Sequence, residues 1–302
     1  MNVFLILLPD FAVIALGALA GPLLPKAGWQ AIDRLSYHVL YPALLFGAAA
    51  ARPIVPRELL VVGGLACVVI TLGFLLSLGV SRFGPTARVE RAGALQNGWR
   101  FNTALGFVAV AALPPEAVGT LAVMVGLGIP LANLYAVILL ALGQTLSPWR
   151  LFREVTSNPF LLASLAGVAV GLGGRALPAI PATFVDRLAD AALPIVLLSL
   201  GAALRGTRVR PPTRFALALH AIRLLVLPGA VWGIATLTDT NGTVAATLLI
   251  FAALPTATVA HVLAARYGAD RGAVALLVMQ SSLLGLATLP LWSLVATRLA
   301  AS

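Results

Sequence analysis

The chain has 302 residues, of which 60% are hydrophobic and only 10% are charged, and its mean hydropathy is +1.01. Soluble domains carry roughly 25% charged residues, so this composition excludes a water-soluble globular protein. The net charge of +10 does not indicate a nucleic-acid partner, because the basic residues are scattered at the ends of apolar segments without interleaved aromatics. Cys67 is the single cysteine, which excludes disulfide bonds within the chain and thiolate metal sites.

Apolar stretches long enough to cross a bilayer follow one another along almost the whole chain. A helix of about 20 apolar residues spans the hydrocarbon core, and we therefore predict an all-α membrane protein with about ten transmembrane helices. The first stretch is interpreted as a helix rather than a signal peptide, since it lacks a basic n-region, carries Asp10 and is as long as a full span. The predicted spans are residues 3–24, 31–50, 59–81, 92–113, 117–142, 158–174, 183–204, 213–237, 243–266 and 272–297.

The basic residues of the loops predict the orientation, because loops rich in Lys and Arg stay on the cytoplasmic side. Of the 20 Lys and Arg residues, one set of alternate loops holds thirteen and the other holds five. We predict a multi-pass protein of the inner cell membrane with both termini outside. The larger set is Lys26, Arg34, Arg82, Arg88, Arg91, Arg150, Arg153, Arg205, Arg208, Arg210, Arg214, Arg266 and Arg271, and the smaller set is Arg52, Arg57, Arg175, Arg187 and Arg298.

The two halves of the chain share a pattern, which predicts an internal repeat. The longest loop, residues 143–157, is the predicted cytoplasmic linker between residues 1–142 and residues 158–302, which carry five helices each. Because five is odd, the second copy enters the membrane from the opposite side and the repeat is inverted. Inverted repeats are typical of secondary transporters, which bind substrate near the midplane. The shared positions are Pro9, Gly17 and Gly21 with Pro159, Gly167 and Gly171, then Pro42 and Gly47 with Pro194 and Gly201, and finally Pro130 with Pro290.

The fourth and ninth spans hold polar residues that hydrocarbon tolerates poorly. Residues 96–106 read Gln-Asn-Gly-Trp-Arg-Phe-Asn-Thr-Ala-Leu-Gly, and residues 254–261 read Leu-Pro-Thr-Ala-Thr-Val-Ala-His. Proline and glycine beside polar groups favour unwinding, so we predict that both helices break within the membrane. Two facing breaks would form an anion site, since the freed N–H groups and the dipole of a half-helix hold a carboxylate. The predicted site residues are Asn102, Thr103, Pro255 and Thr256, whereas Thr258 is better explained by hydrogen bonding between helices.

Arg100 and Arg223 are the basic residues that the predicted spans place inside the membrane. An intramembrane cation needs an anionic partner or an aqueous cavity, so each is a candidate to attract an anionic substrate. For Arg100 the alternative stays open that its side chain snorkels to the cytoplasmic interface.

Polar residues in other spans are candidates for the substrate path or for proton coupling. Asn133 lies three residues after Pro130 and faces the same side of that kink, and Gln280 is a similar intrusion in the tenth span. Both residues are equally consistent with hydrogen bonding between helices. The proton-coupling candidates are Asp10, His220 and His261, with local capping of a proline kink or ordinary packing as the alternative.

At these positions the sequence resembles the auxin efflux carrier family, in particular its bacterial members described as malate or malonate permeases. The resemblance rests on the order and spacing of several motifs that extend over nearly the whole chain. They are Leu-Tyr-Pro-Ala-Leu-Leu-Phe at residues 40–46, Phe-Asn-Thr at 101–103, Ile-Pro-Leu-Ala-Asn at 129–133, Asn-Pro at 158–159, Ala-Leu-Pro-Ile-Val-Leu-Leu-Ser-Leu-Gly-Ala at 192–202 and Leu-Pro-Thr at 254–256.

The resemblance implies two inverted five-helix repeats with crossed, broken fourth and ninth helices. It also implies a homodimer in which a scaffold domain and a transport domain, each built from both halves, work as an elevator. Family substrates are small carboxylates, including auxin in the plant PIN-FORMED proteins, where the asparagine that matches Asn102 helps to hold the carboxylate. One departure is that family members commonly continue with Gly-x-Pro at the break, whereas Phe107 and Val108 follow Gly106 here.

Other function classes fit the sequence less well. An intramembrane enzyme needs Asp/Glu metal clusters or His-Glu-x-x-His, an ATP-driven pump needs a P-loop, and none of these motifs occurs. We therefore expect no enzyme activity, no cofactor and no metal, and the lipid bilayer and a small carboxylate as partners. The prediction is a secondary transporter of small organic anions. A membrane sensor for a carboxylate on the same fold and a sodium-coupled bile-acid-type symporter stay open as alternatives.

Overall fold

The structure is a computed structural model that describes residues 3–50, 57, 59–144, 149, 152–153, 156–174, 177–205, 211–238 and 242–301. Throughout these residues every regular element is a helix, which confirms the predicted all-α class. Most of the predicted linker lies outside the described residues. The same is true of Arg52, Arg150, Arg175, Arg208 and Arg210 from the loop count.

The α-helices of about two turns or more are numbered along the described chain. They are α1 (Val3–Ala20), α2 (Lys26–Leu35), α3 (Tyr41–Ala50), α4 (Gly64–Gly79), α5 (Arg88–Leu95), α6 (Thr103–Val110), α7 (Glu116–Gly143), α8 (Pro159–Leu172), α9 (Ala179–Leu204), α10 (Arg214–Ala221), α11 (Leu227–Leu237), α12 (Thr243–Ala253), α13 (Ala260–Arg266) and α14 (Arg271–Ala301).

The predicted spans correspond to single helices or to consecutive pairs. One-turn π-helical segments join α2 to α3 (Ser36–Leu40), lead into α4 (Leu59–Gly63) and join α10 to α11 (Ile222–Val226). In the described part of the chain, five helical stretches are long and apolar enough to cross a membrane: α7, α9, α14, the stretch through α4 and the stretch from α10 to α11. Shorter or paired helices occupy the other predicted spans, so the topology of ten inverted-repeat spans stays a prediction.

Two helix pairs bring the halves of the chain together. The first helix of each half packs along the second helix of the other, as α1 on α9 and α8 on α3. Glycine permits the approach of α1 to α9, because a Cβ atom at Gly17 would overlap the carbonyl oxygen of Leu198. A Cβ atom at Gly201 would likewise overlap the carbonyl oxygen of Ile14. The two backbones are therefore in direct contact.

The fourth predicted span is interrupted. α5 ends at Leu95, a 3-10 turn covers Gln96–Gly98, and α6 begins only at Thr103. Asn102 caps α6, since its backbone is extended and its Oδ1 accepts a hydrogen bond from the Leu105 N–H (3.1 Å). An asparagine cap satisfies one of the free N–H groups of a helix start. The break thus forms without the proline of the family pattern.

The ninth predicted span is interrupted in a similar way. α12 ends at Ala253, Leu254 is extended, and α13 begins at Ala260. The Asn102 N–H of the first break donates to the Pro255 carbonyl of the second (2.9 Å). The two breaks therefore lie against each other, joined by a backbone hydrogen bond.

The contact between α1 and α9 gives a stability prediction. Gly201→Ala is expected to lower the thermal unfolding midpoint of the detergent-purified protein, since overpacking costs about 1–3 kcal/mol. The matched control is Gly64→Ala, because nothing lies within 4 Å of a Cβ atom at Gly64. Equal midpoints for the two variants would contradict backbone contact between α1 and α9.

Candidate functional site

A cavity of about 80 Å³ lies where the two breaks meet. Its apolar wall comes from α3, α7 and α9, and its polar groups come mainly from the break between α5 and α6 and from α7. The polar lining residues are Tyr41, Arg100, Asn102, Thr103, Asn133 and Thr258, and the apolar ones are Leu44, Leu45, Phe101, Ile129, Ala132, Leu193, Ala257 and Val259.

Arg100 supplies the positive charge of this cavity. Its side chain is buried, with 4% of the residue exposed. Nη1 donates to Gln96 Oε1 (3.2 Å) and Nη2 donates to Asn133 Oδ1 (2.9 Å). Both acceptors are neutral, and within the described residues no carboxylate pairs with Arg100. The guanidinium therefore stays inside the protein and does not snorkel to an interface.

Asn133 completes a donor pair with Arg100. It lies on α7, three residues beyond Pro130, and is 2% exposed. Because its Oδ1 accepts from Arg100, its Nδ2 is the group left to donate, and that nitrogen has no partner among the described residues. Trp99 Nε1 donates to the Ala132 carbonyl (3.1 Å) and ties the break to this part of α7. A charged donor and a neutral donor thus come together at the cavity.

Asn102 and Thr103 place the start of α6 at the cavity. The Oδ1 atom of Asn102 is committed to the cap, which leaves its Nδ2 as a donor. Thr103 is the first residue of α6 and is partly exposed. The N–H groups of a first helical turn carry partial positive charge, so the start of α6 adds to the field of Arg100.

The second break contributes other residues than the sequence predicted. Pro255 packs against Gly285 of α14, where an added Cβ atom would lie 2.9 Å from the proline Cγ. Thr256 is fully buried, and its N–H donates to Ser281 Oγ (3.1 Å). Neither Pro255 nor Thr256 lines the cavity, whereas Thr258 does. An irregular segment follows no helical period, so the sequence did not reveal which threonine faces the cavity.

The remaining predicted residues lie away from this cavity. Gln280 Oε1 and His220 Nε2 form a hydrogen bond (3.2 Å) between α14 and α10. His261 is fully buried with Nδ1 at 2.7 Å from the Thr258 carbonyl. The side chain of Asp10 lies outside the described residues. Their predicted roles in substrate binding or proton coupling therefore stay predictions.

A second cavity of about 1180 Å³ is lined mainly by α2, by the end of α9, by α13 and by the start of α14. We call it the basic vestibule, because five of its lining residues are Lys or Arg and only two are acidic. The two cavities lie next to each other along two segments of the chain. Tyr37 lines the vestibule, and Tyr41, one turn later, lines the smaller cavity. On the other wall, Val262 lines the vestibule, and Val259, one turn earlier, lines the smaller cavity. The charged vestibule residues are Lys26, Arg34, Arg205, Arg266, Arg271, Asp33 and Asp270.

An ion pair that the sequence did not predict lies in the vestibule wall. Arg271 Nε is 2.7 Å from Asp33 Oδ2, and 18% and 9% of the two side chains are exposed. The Ser199 hydroxyl donates to Asp33, and Arg271 Nη2 donates to the Ser199 carbonyl (2.8 Å). These contacts join α2, α9 and α14. Asp33 falls at the edge of a predicted span, where an acidic residue is unremarkable, so only the pairing reveals its role.

Buried helix breaks and a buried cation in a helical protein of this apolarity are typical of membrane transporters, and comparisons with known proteins agree. Residues 147–293 match the family model described as membrane transport protein. The predicted resemblance to the auxin efflux carrier family is thus confirmed through this half of the chain.

One similar protein is an uncharacterized transporter of Methanothermobacter thermautotrophicus. It is 33% identical over 147 residues, which are 48% of this chain and 48% of that protein. The match therefore spans about half the length of the curated relative. Similarity to a family of transporters favours transport over catalysis.

The ion pair gives a second stability prediction. Arg271→Gln is expected to lower the free energy of unfolding by about 1–3 kcal/mol, since it leaves the Asp33 carboxylate buried without its cation. Removing both charges in Asp33→Asn/Arg271→Gln should restore part of the loss. Chemical unfolding in detergent measures Arg271→Gln, Asp33→Asn and the double variant. A double variant whose loss of stability equals the sum of the two single losses would contradict a direct pair.

Proposed function

We propose that this protein is a secondary transporter that moves small organic carboxylates across the cytoplasmic membrane. The observation that carries the proposal is Arg100, a buried guanidinium with only neutral acceptors in the described chain, at a cavity between two broken helices. A cation in this environment is stabilised by an anion that arrives with its own charge. The substrate is the missing partner of Arg100.

The carboxylate is held by charge-assisted hydrogen bonds. Arg100 gives the charge, and Asn133 Nδ2, Asn102 Nδ2 and the Thr103 hydroxyl give neutral donors. Charge-assisted bonds are roughly twice as strong as neutral ones, so the guanidinium dominates affinity and the amides orient the substrate. The dipole of α6 favours the same sign of ligand.

The transport cycle that we propose is an elevator built on inverted repeats. The packing of α1 on α9 is equivalent to the packing of α8 on α3, which supports a two-fold relation between the halves. The presence of a helix break in each half supports it further. Substrates bind between repeats in transporters of this kind, and access alternates by movement of one body against another. A homodimer with both termini outside completes the proposal.

The vestibule is the proposed cytoplasmic entrance. All five of its basic residues belong to the loop set that the charge rule assigns to the cytoplasm. A cleft lined by one sign of charge raises the local concentration of ligands of the opposite sign. The vestibule thus draws carboxylates towards the smaller cavity along α2, α3 and α13.

Uptake by proteoliposomes tests the binding site. We expect saturable uptake of one member of a labelled panel (malate, malonate, succinate, indole-3-acetate), run with and without a proton gradient. Arg100→Gln should lower uptake about 100-fold, because it removes a buried charge that pairs with the substrate. Arg214 on α10 is exposed, so Arg214→Gln is the matched control, and this variant should transport normally. Normal uptake by a folded Arg100→Gln protein would refute the site.

Two variants separate the capping role of Asn102 from its binding role. Asn102→Ser keeps a capping oxygen, whereas Asn102→Ala loses the cap and about 1 kcal/mol of helix stability. If Asn102 also binds the carboxylate, both variants lose uptake while only the alanine variant loses thermal stability. A serine variant with wild-type affinity would limit Asn102 to the cap.

The vestibule predicts how uptake depends on ionic strength. Salt screens exposed charges beyond about 10 Å at 0.1 M, so wild-type uptake should fall as salt is added. Lys26→Gln/Arg34→Gln removes two exposed vestibule charges and should flatten this dependence. Arg82→Gln/Arg88→Gln removes two exposed charges elsewhere and is the matched control. The same salt dependence in both double variants would refute the entrance.

A further inference from the structure

Arg223 is a second buried cation that the anion site does not use. It lies in the π-helical turn between α10 and α11, and none of its surface is exposed. Nε donates to the Leu254 carbonyl (2.6 Å) and Nη2 donates to the Phe251 carbonyl (2.9 Å). In the described chain these two backbone oxygens are its hydrogen-bond partners, and no carboxylate pairs with it.

The carbonyls belong to the C-terminal end of α12, where the break begins. The last carbonyls of a helix lack partners inside the helix and form the negative end of its dipole. At the equivalent end of α5, neutral amides do this work, since Gln96 Nε2 donates to the Gly93 carbonyl (3.1 Å) and Asn97 Nδ2 donates to the Ala94 carbonyl (2.9 Å). The end of α12 is instead capped by a full positive charge from another helix.

The π-helical turn presents Arg223 to this end. Pro228 has no N–H to donate to the Leu224 carbonyl four residues earlier. Trp292 Nε1 of α14 donates to that carbonyl instead (2.9 Å). The irregular turn is therefore anchored from outside its own helix, which fixes the position of Arg223.

Unwound carbonyls at the C-terminal end of a half-helix are the groups that coordinate coupling cations in transporters with broken helices. We infer that the guanidinium of Arg223 takes the place of such a cation, so that the end of α12 is held by a tethered charge and transport proceeds without sodium. This inference rests on the proposed transport function. The Leu254 carbonyl adjoins Pro255, whose own carbonyl accepts from Asn102, so Arg223 also positions the anion site.

Removing the Arg223 guanidinium should create a binding site for a free cation. Arg223→Ala leaves the two carbonyls directed at a space of guanidinium size. The thermal unfolding midpoint of the purified variant in choline chloride should fall by at least ~2 °C, and sodium or low millimolar guanidinium should raise it again. Wild type and Arg214→Gln should show the same midpoint in sodium chloride and in choline chloride. An Arg223→Ala midpoint that no cation raises would overturn the inference.

Uptake is measured in parallel on the carboxylate panel. Wild-type uptake should be equal with sodium and with choline, and Arg223→Lys, which keeps a charge, should keep this independence with reduced rate. Sodium-dependent uptake by wild type would overturn the inference even if Arg223→Ala fails to fold. The thermal unfolding midpoints are measured without substrate. If no carboxylate is transported, the proposed function is refuted, but the midpoints still test whether Arg223 replaces a cation.

Discussion

Two helices end in the middle of an apolar protein, and the need to satisfy their free backbone groups governs the rest of the structure. Each N–H or carbonyl group without a hydrogen-bond partner in hydrocarbon costs roughly several kcal/mol. A helix break is therefore stable only where other groups supply those partners. Asn102 caps the start of α6, and its N–H bonds to the Pro255 carbonyl of the other break. Each break is therefore part of the environment of the other.

The two buried arginines solve different problems with the same chemistry. Arg223 is turned towards carbonyls and neutralises the negative end of α12. Among the described residues, Arg100 donates hydrogen bonds to two neutral side-chain amides and lines a cavity, so its charge is solvated without being neutralised. A guanidinium suits both positions because its five donors reach several acceptors in one plane. Arg223 thus stabilises the helix break, and Arg100 is the proposed partner of an anionic substrate.

Two sets of contacts join the halves of the chain. Helices α1 and α9 touch through glycine backbone, which holds them closer than larger side chains would permit. The pair of Asp33 and Arg271 joins α2 to α14 at the wall of the vestibule, next to a cavity that offers mainly positive charge. An ion pair in that position joins both halves of the chain at the proposed entrance of the substrate path.

The sequence by itself determined the helical class, the two breaks and four polar residues of the cavity, Arg100, Asn102, Thr103 and Asn133. Polar residues with glycine or proline cannot continue a helix through hydrocarbon at low cost, so residues 96–106 and 254–261 marked the breaks directly. These four residues were visible because a polar group within an apolar run is costly in a membrane and stands out.

Only the tertiary structure decided which side of each break faces the cavity. Helical period predicts faces at 3.6 residues per turn, but a break resets that phase, and Thr258 faces the cavity where Thr256 was predicted. Packing between helices pairs Gln280 with His220 and brings Arg223 to the end of α12. Asp33 finds Arg271 across 238 residues of sequence, and such a pairing is set by packing, which no local pattern encodes.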